Sequence, residues 1–163
     1  MNANHKQKPP AQDLSVSFGM KGQQSPEVLA RVSSLFGEDL AFVVKRLVTH
    51  DGLDEEFAKR IRPEFLRFVA LRQQFDGTLV PSESIDKFWH AFILYTEEYT
   101  EFCERHLGGY MHHRPQDHFA STAAISIASR RTMEHLNEMF QDYDRSVWSK
   151  SAICCDPGDC GCP

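Results

Sequence analysis

The stretch IDKFWHAFILYTEEYTEFCERHLGG (85–109) decides the fold, because it reads either as one long helix or as two short ones. No proline or glycine interrupts 82–107, and Ile85, Trp89, Phe92, Tyr99, Phe102 and His106 nearly continue one stripe. One straight helix would hold His90 and Cys103 about 20 Å apart, since each residue rises ~1.5 Å. A turn near Tyr95–Thr96 gives a different molecule. Thr96 then becomes an N-cap, Glu97 and Glu98 fall in the first turn where the helix dipole favours acids, and two antiparallel helices result. We read the turn.

Helical patterning extends on both sides. Ser25–Pro26 is a cap followed by proline at the first helical position, and Val28, Val32, Leu35 and Phe36 share a face until Gly37. Leu40, Val43, Val44, Leu47 and Val48 predict a second helix over about 38–50, closed by Gly52. Asp54 caps a third through Phe57, Ile61, Phe65, Phe68 and Leu71, which Pro63 should kink or divide near Ile61–Arg62. DGTLVP (76–81) is a turn, and Ser82 or Ser84 caps the helix carrying Asp86 and His90. Gly108–Gly109 stops the next helix, HHRPQDH (112–118) is a polar loop, and a final helix is expected over about 119–144.

The predicted fold class is all-α: a compact array of about five to seven helices. It divides into a flexible N-terminal arm (1–24), a helical domain (25–148) and a flexible cysteine-rich tail (149–163). DLSVSFGM (13–20) could extend, but one strand alone makes no sheet.

With 163 residues, 41% apolar and 25% charged, the chain can bury a real core. A net charge of −5 supplies no general field for nucleic acid or an anionic membrane. The basic clusters KRIRPEFLR (59–67) and Arg130–Arg131 read as solvated helix faces. No apolar run approaches the roughly 20 residues that span a bilayer, and the N-terminus lacks a signal-like apolar region. The expectation is a cytoplasmic protein with neither nucleic acid nor membrane as partner. Phosphate-binding glycine loops, GxSxG elbows and HExxH helices are all missing from the sequence.

Chemistry concentrates in 85–115. Asp86 and His90 lie one turn apart on a helix face, Cys103 and His106 are three apart, and His112–His113 follow the glycine stop. Singly, each has a bland reading: an exposed aspartate, a hydrogen-bonded core histidine, a cysteine acting as a small buried hydrophobe. Together, Asp86, His90, Cys103, His112 and His113 are candidate ligands for a transition metal. Mixed Asp/His/Cys donors suit zinc. Four ligands would make the site structural, and three with an open position would allow hydrolysis. A metal-free option makes Cys103 a nucleophile, with His90 or His113 as base and Asp86 as orienter. Trp89, Phe88, Phe92 and Tyr99 read as core.

Ile85-Asp86-x-x-Trp89-His90, then Tyr99, Phe102–Cys103, a glycine and the His112–His113 pair resemble the glycine-rich domain-containing protein-like family, bacterial type. Some members end in a Gly/Cys tail, which CCDPGDCGCP resembles in shortened form. The resemblance covers about 80–115. Relatives often carry proline near the position of Thr96, which implies a helix start there. The RNA-related proposals for plant members belong to modules this chain does not contain.

Four of the five cysteines, Cys154, Cys155, Cys160 and Cys162, crowd the last ten residues. Proline, glycine and aspartate between them favour turns over helix. Such a tail can wrap Cu(I) or Zn(II), exchange thiols, serve a modifying enzyme, or remain merely solvated. The leading reading is thus a metal-binding helical module. The alternatives are a helical interaction protein with an unknown protein partner and a metal- or thiol-dependent enzyme.

Overall fold

The computed structural model of the chain describes residues 18–22, 24–114 and 119–149. These contain seven helices: α1 (Pro26–Phe36), α2 (Ala41–Thr49), α3 (Glu55–Gln74), α4 (Glu83–Ile93), α5 (Thr96–Leu107), α6 (Thr122–Met139) and α7 (Arg145–Trp148). The all-α array is therefore as the periodicity predicts. The cysteine tail, Cys154, Cys155, Cys160 and Cys162 included, lies outside the described residues.

Capping follows the sequence closely. The side chains of Ser25, Asp54 and Ser82 each accept the backbone N–H three residues on, from Val28, Phe57 and Ile85 respectively. The turn after α4 is also present, one residue out of step. Thr96 is the first helical residue of α5, and Tyr95 holds the cap position without a side-chain bond. Gly108 ends α5 at φ +67°, a left-handed position that glycine enters without steric cost.

Helix α3 is the central element and touches each of the other six. Ala58, Ile61, Phe65, Leu66, Phe68, Val69 and Leu71 are all buried, so α3 is apolar around much of its circumference where it threads the core. Pro63, expected to kink or divide the segment, does not divide it. The ring removes the N–H that would reach the Lys59 carbonyl, yet α3 continues to Gln74, with buried residues packed on both sides of the proline.

Two boundaries differ from the sequence reading. The last long helix is shorter than 119–144: it starts at Thr122, capped by Ser121, and stops at Met139. Phe140 turns extended and forms an antiparallel bridge with Met20. Residues 18–22, assigned to the arm, thereby dock on the fold. The Gln141 N–H donates to the Gly19 carbonyl at 2.7 Å, Lys21 N–H donates to Met139 at 2.8 Å, and Met20 is buried. Gly19 sits at φ +66°, where a Cβ would fall 2.6 Å from the Asp142 carbonyl oxygen. Only glycine fits this contact.

Candidate metal centre

The apolar positions of α4 determine which way its polar ones face. Ile85, Phe88, Trp89, Ala91 and Phe92 are buried against the core, which leaves Asp86 and His90 on the outer edge with side chains 25% and 57% exposed. Helix α5 folds back on α4 through Phe92, whose ring meets Tyr99 and Phe102 at 5.1 and 5.2 Å. Beyond Gly108 the chain returns toward α4.

Three buried groups fix the course of that return. Trp89 Nε1 donates to the Tyr99 hydroxyl at 2.7 Å, and that hydroxyl donates to the Met111 carbonyl at 2.6 Å. The Met111 N–H in turn donates to the Cys103 sulfur. Met111 is thus held through both its N–H and its carbonyl, two residues before His113.

His113 then lies edge-on to Trp89, with ring centres 4.6 Å apart. Its Nε2 is 2.8 Å from Asp86 Oδ1 and 3.0 Å from His90 Nε2. Asp86 Oδ2 and His90 Nε2 are 3.7 Å apart. One ligand atom from each of the three residues lies within 4.8 Å of the other two, a group of the kind that could hold a metal ion. They line a cleft of about 570 Å³, whose walls include Trp89, Val80, Phe119, Arg72 and Arg114.

Of the five residues named from sequence, the fold brings Asp86, His90 and His113 together. His112 stands outside that group although it borders the same cleft: it is exposed, with its ring 4.9 Å from Tyr110. Cys103 is fully buried and outside the group. Burial pushes its thiol above the usual value, against the opposing pull of the Met111 N–H and Tyr99. A protonated, enclosed thiol is a poor nucleophile and a poor ligand, which favours the bland reading of Cys103 as a small buried hydrophobe. The sequence reading placed Tyr99 and Trp89 in the core and missed their polar ends. The available signal was that a buried indole N–H and a buried phenol each need a partner.

The profile of one family matches residues 38–139, from the turn before α2 to the end of α6. The chain belongs to the UCP032817-like family. This corrects the resemblance to the glycine-rich domain-containing protein-like family, which rested on a motif of some thirty residues, whereas the UCP032817-like match takes in most of the helical array. The description of the UCP032817-like family names no activity, so function has to be argued from the site. No curated protein and no solved structure matches the chain. Among the described residues, no helix is long and apolar enough to cross a membrane.

Proposed function

We propose that the protein is a metal-binding helical module in which Asp86, His90 and His113 hold one divalent transition-metal ion, with zinc the best fit. The observation that carries this reading is the double contact at His113 Nε2. One nitrogen meets both the Asp86 carboxylate at 2.8 Å and the His90 nitrogen at 3.0 Å. A neutral imidazole nitrogen has either one proton or one lone pair, so a single proton must serve two acceptors or two lone pairs must face each other. A cation at the shared point satisfies all three atoms at once.

The spacing also suits an ion. Ligand bonds of ~2.0–2.1 Å at tetrahedral angles place donor atoms about 3.3 Å apart. His113 Nε2 lies a little inside that spacing, 2.8 Å from Asp86 Oδ1 and 3.0 Å from His90 Nε2, while His90 Nε2 is 3.7 Å from the other carboxylate oxygen. Two imidazoles and a carboxylate form a borderline donor set favouring zinc over magnesium or calcium. Three protein ligands leave coordination positions to water or a small molecule, so binding and metal-assisted chemistry are both compatible with the site.

Equilibrium dialysis of the full chain against zinc in reducing, chelator-free buffer tests the proposal. Wild type should retain one zinc at the core site. His113→Gln and Asp86→Asn should each weaken it by about tenfold or more. A chain with serine at Cys154, Cys155, Cys160 and Cys162 separates any zinc or copper held by the tail from the core ion. Equal retention by wild type and His113→Gln in that background would overturn the reading. The three residues would then be a hydrogen-bonded cluster on a helical interaction module.

A further inference from the structure

We infer that the cleft beside Asp86, His90 and His113 is a binding site for a small organic anion with an apolar body, its charged end directed to the metal position and to Arg72 and Arg114. The inference rests on the metal reading above and adds the class of ligand.

Size comes first. A cleft of about 570 Å³ falls in the range of small-molecule sites, which run from ~300 to 1,000 Å³. Its lining is divided by chemistry. Phe68, Leu79, Val80, Trp89, Phe119 and Ile125 supply apolar and aromatic walls suited to a hydrocarbon or ring. Among the described lining residues the charged groups are two arginines and one carboxylate, Asp86, which the metal would neutralise. Counted over these described residues, the lining is net cationic inside a protein whose net charge is −5.

Arg72 is set for this role by its own helix. It lies in the last turn of α3 and donates one N–H to the Gly77 carbonyl at 2.7 Å, which fixes the guanidinium against the 76–81 turn. That bond uses one N–H of the five, and a planar guanidinium offers paired donors to a carboxylate or phosphonate. Arg114 follows His113 directly, so the loop that delivers a metal ligand also delivers a cation to the same cleft. An anion entering here would meet a Lewis acid and two fork-shaped donors while its apolar part covers Trp89 and Val80.

Isothermal titration of the full chain with phenylphosphonate, with and without prior zinc loading, tests the assignment, with zinc content measured on the same samples. The zinc-loaded protein should bind one phenylphosphonate, methylphosphonate about tenfold more weakly for want of an apolar body, and the cation phenethylamine not at all. Arg72→Gln and Arg114→Gln should each weaken phenylphosphonate by about tenfold and leave zinc stoichiometry unchanged. Arg72 is exposed, so its replacement leaves the core intact. Zinc bound with no phosphonate binding, or phosphonate binding equal in wild type and both arginine variants, overturns the cleft assignment and leaves the metal reading standing. Phosphonate bound in an arginine-dependent way without any zinc overturns the metal reading and sustains the anion site. Failure of both ligands to bind overturns both.

Discussion

Tyr99 shows how a residue that reads as core carries a site. Its ring is fully buried, while its hydroxyl accepts from Trp89 and donates to Met111. Burial makes it a much weaker acid than an ordinary phenol, so the hydroxyl keeps its proton and remains a donor. Tyr99→Phe keeps the apolar ring but strands an indole N–H and a carbonyl. We expect a loss of about 2 kcal/mol in urea unfolding and weaker zinc retention, although no ligand atom is touched. Unchanged zinc affinity would show that Met111 does not position His113. Asp86 and His90 were legible as a pair because their relation, four residues along one helix, is local. His113 could not be chosen over His112 from sequence, since that depends on how the peptide at Met111 is gripped. For the same reason both readings of Cys103 stayed open: whether a thiol faces a cleft or a backbone N–H is set by packing.

Helices were legible where their signals are local and illegible where tertiary contacts override them. Ser25, Asp54 and Ser82 cap as the sequence indicates because a cap involves only a few consecutive residues. The break after Leu94 follows from Glu97 and Glu98, whose charges suit the start of α5. Pro63 and the end of α6 went the other way. Proline costs a helix interior up to about 3 kcal/mol, yet α3 is embedded among six partners and stays continuous. Pro63→Ala should therefore stabilise the protein by about 1–3 kcal/mol, read from the urea midpoint. A destabilised variant would mean that the core is fitted to a bend at this residue. In α6, Met139, Phe140 and Tyr143 extend the apolar pattern, but Phe140 buries itself by pairing with Met20 rather than by another helical turn.

Across the whole molecule, α7 is fastened to α3 by a carboxylate pair. Glu64 is buried and accepts from Arg67 at 2.7 Å, from Trp148 Nε1 at 2.7 Å and from the Asp144 N–H at 3.0 Å. Asp144 accepts from Arg60 at 2.7 Å and caps Ser146. The Arg60 hydrogen bond, helped by Ser146 and opposed by partial burial, lowers the Asp144 carboxyl from 3.8 to about 2. A carboxyl held below its unfolded value adds stability that is complete above 3.8 and is lost as pH falls through about 2. Asp144→Asn keeps the cap and removes the charge. Because Arg60 is half exposed, we expect a cost of about 1 kcal/mol at pH 7, with wild-type and variant urea midpoints converging near pH 2. A constant gap across that range would assign the effect to packing.

The docked segment around Gly19 carries a consequence for the order of assembly. Helices α1 to α5 meet neighbours close in sequence, so they can collapse through short loops. The contact of Lys21 Nζ with the Asn137 carbonyl joins residues 116 apart, and closing so long a chain costs about 4 kcal/mol of entropy before any contact repays it. The Met20–Phe140 clasp is thus a late event that waits for α6 to be seated. By the same token it is the first to fray, opening while the cleft and the three side chains that converge on it stay in place in the older part of the fold.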